Sequence, residues 1–261
     1  MERKGPGGSV ALSGRLRMLA DMVTPGSRLV DVGCDHGFLS IYLVQEGACP
    51  AALAMDVREG PLAAARRHVE AYRLGDYIAL RLSDGLAAYR AGEAEALVCA
   101  GMGGRLMERI LREGMDLARG MRELILQPQS ELPQFRAFLR EAGFGIVQED
   151  AIREDGKYYF AMKARPGAGD SGQMPAGCGV EREAAGGGGE GAGTSELYDL
   201  FGEHLLKSRH PVLFAYLRQR RSYLGRLGAD LEAAGSARAG GRLEEVRREL
   251  AQIEEAFCRY G

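Results

Sequence analysis

Apolar residues along this chain change their period several times, and each change marks an element. Leu12, Leu16, Leu19 and Val23 recur a helical turn apart, predicting a helix over 12–23 that Thr24-Pro25-Gly26 ends. A strand at 28–32 follows, and Phe38 to Val44 reads as a helix start. A second strand, 51–55, closes at Asp56, and Pro61 to Tyr72 forms a helix with proline in its first turn, where a missing N–H costs nothing. Further strands are predicted at 78–82, 96–100 and 123–127, then a helix at 132–142 stopped by Gly143. Two last strands lie near 145–152 and 157–164, with Asp155-Gly156 between them.

Strand and helix in alternation imply parallel strands joined by crossovers. The Asp155-Gly156 joint is too short for a crossover and fits a hairpin. The predicted fold is therefore an α/β, Rossmann-like sheet of seven mostly parallel strands with an antiparallel last strand. This domain spans 1–165. Residues 166–194 are rich in glycine, with Gly186 to Gly189 in a row, and predict a flexible linker or insertion. Residues 195–261 turn helical again. Leu213, Leu217, Leu224, Leu227 and Leu231 form one heptad-like seam, with Arg220 at a seam position. Leu243, Val246, Leu250, Ile253 and Phe257 form a second, and Gly235 to Gly241 reads as the joint. The expectation is an antiparallel coiled-coil hairpin. The expected state is a monomer, with a weak dimer through the coiled coil as the alternative.

Composition narrows the class. Of 261 residues, 46% are hydrophobic and 27% charged, which fits a globular protein. No apolar run approaches the ~18 residues of a membrane span, and the first residues carry no secretory signal. Cys34, Cys49, Cys99, Cys178 and Cys258 are scattered, so reduced thiols, no metal site and a cytoplasmic location are expected. A net charge of −2 requires any nucleic-acid surface to be local.

The candidate chemistry lies at the strand ends, where open parallel sheets bind ligands. Strand one runs into Asp31-Val32-Gly33-Cys34-Asp35-His36-Gly37. The spacing is Asp-x-Gly-x-Asp-x-Gly, not the dinucleotide Gly-x-Gly-x-x-Gly, so a nicotinamide site is the weaker alternative. Gly33 and Gly37 let backbone approach a ligand. Asp56, with Val57 after it, suits ribose hydroxyls. Ser83-Asp84-Gly85 ends strand three, and Asp84 can accept from an adenine amino group. Gly101-Met102-Gly103-Gly104 follows strand four. Asp31 and Asp35 can offset a sulfonium and an ammonium. The set fits S-adenosyl-L-methionine, whose methionine end is cationic. Singly, each is an ordinary turn residue; their conjunction at four strand ends carries the argument.

At these residues the chain resembles a family. Asp31 to Leu39, Ala100 to Gly104, Leu126-Gln127-Pro128-Gln129 and Glu154-Asp155-Gly156-Lys157-Tyr158-Tyr159 are similar to motifs of the bacterial TrmK-type tRNA adenine-N1-methyltransferases. Leu200-Phe201-Gly202 and Leu205-Leu206-Lys207 extend the resemblance past the linker. It implies a class I methyltransferase sheet with a C-terminal coiled coil, acting on N1 of adenine 22 in the tRNA D-loop. The chain departs from the pattern at Phe38, where tyrosine is frequent, at Glu203, where proline is common, and in the insertion 166–194.

Such a transfer needs alignment and stabilisation of growing positive charge, and no protein nucleophile. Asp35 and His36 are the candidates for the reacting end; the plainer reading of His36 is a turn residue. The base is expected to be extruded into the pocket. Phe38, Met102 or Tyr158 could stack on it, though each also reads as packing, while Gly104, Arg105, Gln127 and Pro128 would face it. Lys207, Arg209, Arg218, Arg220, Arg221 and Arg226 occur without an intervening acid, with tyrosines interleaved. They are the candidate phosphate-contacting face, Lys207, Arg218, Arg220 and Arg221 foremost; the plainer reading is a solvated helix flank. Arg15, Arg17 and Arg105 would form a basic rim at the cleft. The competing functions are a non-catalytic module of the same fold and a methyltransferase for a small molecule or protein.

Overall fold

A computed structural model describes residues 8–168, 191–234 and 237–260. The chain forms two compact units, Met1–Cys178 and Gly179–Gly261. The first contains α1 (Gly14–Met22), β1 (Leu29–Val32), α2 (Phe38–Gln45), β2 (Ala52–Asp56), α3 (Glu59–Ala71), β3 (Ile78–Leu82) and β4 (Ala96–Met102). It continues with α4 (Gly104–Glu113), α5 (Met115–Arg119), β5 (Glu123–Pro128), α6 (Leu132–Glu141), β6 (Phe144–Glu154) and β7 (Lys157–Pro166).

The seven strands form one sheet in the order β3-β2-β1-β4-β5-β7-β6. β1 to β5 are parallel, whereas β7 runs antiparallel to both β5 and β6. The antiparallel last strand is thus inserted beside β5, and β6 takes the edge. Asp155 (φ 49°) and Gly156 (φ 78°) are both left-handed, as a two-residue hairpin turn requires.

Alternate side chains of the central strands enter opposite layers. Leu29, Ala54 and Val98 pack with α1, α2 and α3, while Val30, Met55 and Leu97 pack with α4, α5 and α6. Burial on both faces explains why β1, β2 and β5 read as continuous apolar runs. β4 reaches two residues further than its apolar run predicts, with a register irregularity between Ala100 and Met102. The strand order reverses between β1 and β4, so their C-terminal ends splay apart and leave a crevice.

The second unit contains α7 (Gly191–Phe201), α8 (Glu203–Lys207), α9 (Pro211–Ala234) and α10 (Ala237–Cys258). α9 and α10 pack on each other, burying Leu213, Leu217 and Leu224 from one and Val246, Ile253 and Ala256 from the other. Gly228 faces α10 across the seam, where a Cβ would make an ordinary 3.6 Å contact with Val246 Cγ1. The expected joint over 235–241 is shorter than its glycines suggest, because Gly240 and Gly241 lie inside α10. Packing along the seam outweighs a helix penalty of about 1 kcal/mol per glycine. Residues 235–236 and most of the expected linker, 169–190, fall outside the described residues. The linker's last residues, 191–194, already belong to α7. Among the described residues no helix is long and apolar enough to cross a membrane, and no acid, His or Cys group could hold a metal.

Candidate active site

A cavity of about 590 Å³ opens where β1 and β4 part. Asp31, the third residue of β1, is buried, and its carboxylate accepts a 2.8 Å hydrogen bond from the Ser40 hydroxyl. Burial, then the neighbouring Asp56 carboxylate, pushes its pKa up from 3.8 to about 6 against the opposing Ser40 hydrogen bond. No cation pairs with Asp31 among the described residues.

The chain then turns sharply. Gly33 is left-handed (φ 76°), and its N–H and that of Cys34 both donate to the Met55 carbonyl. A Cβ on Gly33 would lie 2.2 Å from the Met102 methyl group, the mobile end of that side chain, so it is the left-handed backbone that favours glycine here. Asp35 is also left-handed (φ 50°), an uncommon state for a residue with a side chain. Its N–H donates to Asp56 Oδ2 at 3.2 Å, while Asp56 Oδ1 accepts the Arg58 N–H at 2.9 Å. Asp56 therefore braces two loops and keeps a lone pair on each oxygen. Burial and the surrounding carboxylates, Asp31 first, raise the Cys34 thiol well above its ordinary range, so it stays protonated.

The other strand ends complete the wall. Asp84 pairs with Arg109 of α4 at 3.1 Å, and Gly85 is left-handed with α4's Ile110 against it. Val57 and Leu106 present exposed apolar surface. Gly101, at the β4 irregularity, is left-handed (φ 77°). A Cβ there would meet Arg15 Nη1 at 3.2 Å.

Of the residues expected from sequence, Asp31, Gly33, Asp35, His36, Phe38, Asp56, Val57, Ser83, Asp84, Gly85, Gly101 and Met102 line this cavity. Several have other tasks. The Ser83 hydroxyl donates to the Gly85 carbonyl and accepts from the Ala88 N–H, so it is consumed by its own turn. His36 and Asp35 project at the mouth, 3.7 Å apart. Phe38 stacks on His68 at 4.5 Å between centroids, and His68 Nδ1 lies 3.0 Å from the His36 carbonyl oxygen. One face of Phe38 is thus already covered.

The remaining expected residues lie off the wall. Gly37 begins α2 and packs on Ala65. Gly103 caps α4, and Gly104 packs so closely that a Cβ would sit 2.5 Å from the Ser130 carbonyl oxygen. Arg105 points to solvent and pairs with Glu131 at 3.5 Å. Gln127 and Pro128 are buried in β5. Tyr158 lies under the Arg153 guanidinium. Gly37 and Gly103 are expected at the cofactor, and Gly104, Arg105, Gln127, Pro128 and Tyr158 at the base; strand alternation and the turns into α2 and α4 direct them elsewhere. Arg17 leaves the expected rim as well, pairing with Asp21 at 2.9 Å.

In the second unit, Arg220 is held by Glu249 through contacts of 2.5 and 3.0 Å, and Arg221 by Glu254 at 3.3 Å. Lys207 pairs with Glu203 at 2.5 Å. The acid-free run along α9 meets acids supplied by α10, which corrects the expectation that Arg220 and Arg221 are free for phosphates. Arg218 has no ion pair among the described residues.

Sequence reasoning missed Leu16, Cys34, Leu39, Arg58, Leu106, Arg109, Ile110 and Gln129 as wall residues. For the α4 residues a signal existed: Leu106, Met107, Ile110 and Leu111 have helical spacing directly after Gly103-Gly104.

Known proteins resemble this chain in sequence and fold. Residues 12–162 match the family described as "Methyltransferase domain". A Bacillus subtilis (strain 168) protein named tRNA (adenine(22)-N(1))-methyltransferase is 36% identical over 160 residues, 61% of this chain and 67% of its own. The crystal structure of the B. subtilis m1A22 tRNA methyltransferase TrmK superposes with a TM-score of 0.77 at 27% identity, covering 95% of this chain and 99% of that one. A Streptococcus pneumoniae protein, provisionally assigned as a tRNA (m1A22) methyltransferase and solved in complex with S-adenosyl-L-methionine, gives 0.75 at 32% identity, over 94% and 99%.

Proposed function

Since the chain belongs to the methyltransferase-domain family, and within it to the TrmK-type tRNA (adenine(22)-N1)-methyltransferases, we propose that it methylates N1 of adenine 22 in the D-loop of tRNA, using S-adenosyl-L-methionine. The observation that carries this reading is the buried Asp31 carboxyl at the β1–β4 crevice, without a cation of its own among the described residues. A cationic cofactor supplies what that site lacks, whereas a pyrophosphate would be repelled.

The residues present fit such a group. Asp31 would hold the ammonium, the bare backbone at Gly33 would admit the methionine chain, and Asp56 would accept from the ribose hydroxyls. Val57 and Leu106 would flank the adenine, with Asp84 at its amino edge. The cofactor, when bound, supplies an electrophilic methyl on a sulfonium, whose sulfur keeps the bonding pair as N1 takes the carbon.

The chain's own part is alignment and charge. Adenine N1 brings a lone pair, so no base or nucleophile is needed, and the methylated ring is cationic. The Asp35 carboxylate, held at the mouth by its left-handed backbone, would stabilise that developing charge. His36 would border the entering base. Phe38 would offer it an edge or one face, since His68 covers the other. Convergence of Asp31, Gly33, Asp56 and Asp84 on one cavity argues against a non-catalytic module. The reaction would take place in the cytoplasm, and closure of the α9–α10 seam within one chain supports a monomer.

Incubating the protein with unmodified tRNA and cofactor, followed by nucleoside mass spectrometry, tests the proposal. 1-Methyladenosine at position 22 is expected. Cofactor binding with no methylated nucleoside would overturn the tRNA assignment.

A further inference from the structure

Three motif residues that methyl transfer leaves without a task converge on one residue, Arg15: Glu154 at its backbone, Gln127 and Tyr159 at its side chain. Glu154, at the end of β6, accepts the backbone N–H of Gly14 at 2.6 Å and of Arg15 at 3.4 Å, fixing the first turn of α1 on the hairpin. Gly14 permits that contact, since a Cβ there would lie 2.7 Å from Ile152 Cδ1. Gln127, fully buried, accepts from Arg15 Nη1 at 3.1 Å. The guanidinium carbon lies 5.5 Å from the centre of the Tyr159 ring. Bare Gly101 leaves room for it on the cavity wall.

A surface arginine ordinarily samples many rotamers; the side chain of this one is held by Gln127 and Tyr159, on a backbone fixed by Glu154, before any ligand arrives. Its hydrogen bond to Gln127 uses one of five donors. The other arginines on the wall have acids beside them: Arg58 has Asp56 at 3.9 Å, and Arg109 has Asp84 at 3.1 Å. No carboxylate pairs with the Arg15 guanidinium among the described residues. The cavity thus presents a buried acid at β1 and a rigid, unpaired cation beside the end of β4. That polarity suits a zwitterion with an ammonium and a carboxylate on one carbon.

We propose that Arg15 binds the α-carboxylate at the methionine end of the cofactor, with Glu154, Gln127 and Tyr159 as its positioning residues. The assignment rests on the cofactor reading above and explains why the Leu-Gln-Pro-Gln and Glu-Asp-Gly-Lys-Tyr-Tyr runs accompany the Asp31 turn in one chain.

Titration calorimetry of the full chain with three ligands tests it: S-adenosyl-L-methionine, S-adenosylhomocysteine and decarboxylated S-adenosylmethionine. Arg15→Gln should weaken the first two by about 10- to 100-fold, as loss of a charge-assisted hydrogen bond does. It should leave the decarboxylated ligand within about twofold, because that ligand has nothing for Arg15 to hold. Arg15→Lys should recover part of the loss, and Gln127→Leu, which frees the guanidinium without removing it, should weaken the carboxylate-bearing ligands alone. Equal weakening of all three by Arg15→Gln would make the residue structural and overturn the assignment. Unchanged cofactor affinity with weakened tRNA binding would also overturn it, transferring Arg15 to an RNA phosphate. A wild-type chain that binds none of the three overturns the cofactor reading itself, an outcome distinct from failure of the variant alone.

Discussion

The Ser40 hydroxyl, fully buried on α2, donates a 2.8 Å hydrogen bond to Asp31 at the C-terminal half of β1. Ser40 stabilises the ionised carboxylate against a burial that favours the acid. The balance leaves Asp31 titrating near 6, which gives the site a pH dependence of definite sign. A bound ammonium prefers ionised Asp31, so cofactor affinity should rise between pH 5 and 7 and level off above. Calorimetry across that range checks it. Ser40→Ala should move the rise to higher pH, and Asp31→Asn should weaken binding and flatten the profile.

The same group acts oppositely on stability. Asp31 holds its proton more tightly folded than unfolded, so the stability it contributes is complete below about pH 4 and is lost as pH climbs through about 6. The loss is roughly 2–3 kcal/mol for the ligand-free protein. Thermal unfolding of wild type and Asp31→Asn from pH 4.5 to 7.5 checks it: the variant should lose that part of the slope. Saturating cofactor should also suppress it in wild type.

Much of this site was readable from residue order, because strand ends in an open parallel sheet gather in one place. Asp31, Asp56, Asp84 and Gly101 each lie at or just past the C-terminal end of a parallel strand, so topology alone brings them together. Arg15 reads only as part of a basic rim at the cleft, since its contacts there depend on Glu154 and Gln127, more than a hundred residues away. Tyr158 and Tyr159 show the other limit: adjacent in one motif, they project to opposite faces of β7, and it is Tyr159 that reaches Arg15. The α9 arginines failed for a third reason, as their partners sit on a different helix.

Glycines at close contacts should separate cleanly from glycines in open space. Gly104→Ala brings a methyl within 2.5 Å of the Ser130 carbonyl oxygen, backbone that cannot swing aside. It should cost about 1–3 kcal/mol and loosen the start of α4, which carries Leu106 and Arg109 into the cavity. Gly60 lies in α3 with nothing within 4 Å of its Cβ position. Gly60→Ala should stabilise by about 0.5–1 kcal/mol. Urea denaturation of the two variants should give opposite shifts in midpoint.

Lys163 on β7 joins the sheet to the end of α1. Its ammonium lies 3.0 Å from Glu123 and donates to the Met22 carbonyl and the Thr24 hydroxyl, each at 2.8 Å. All of Glu123 and nearly all of Lys163 is buried. Lys163→Met leaves the buried Glu123 carboxylate with the Thr24 donors and only the more distant Arg165, at 3.9 Å, and should cost about 3 kcal/mol. Glu123→Gln with Lys163→Met removes both charges and should recover a substantial part, as a double-mutant cycle would measure.

The helical hairpin offers a test of which cations meet RNA. Arg220 is half-buried in the α9–α10 seam and chelated by Glu249, so removing it should loosen the hairpin before it touches binding. Arg220→Ala and Glu249→Ala should each destabilise the protein, with a coupling of about 0.5–1.5 kcal/mol between them. Among the described residues Arg218 has no ion pair, and Arg226 bonds a neutral Ser222 on its own helix and no acid. If this face contacts tRNA phosphates, Arg218→Gln and Arg226→Gln should each lower the slope of log binding constant against log salt by about 0.7–0.9. Arg220→Gln should leave that slope near the wild-type value, because its charge is already matched by Glu249. Fluorescence anisotropy with labelled tRNA at several salt concentrations measures the slopes. Equal slopes for wild type and for the Arg218 and Arg226 variants would place the phosphate contacts elsewhere on the molecule.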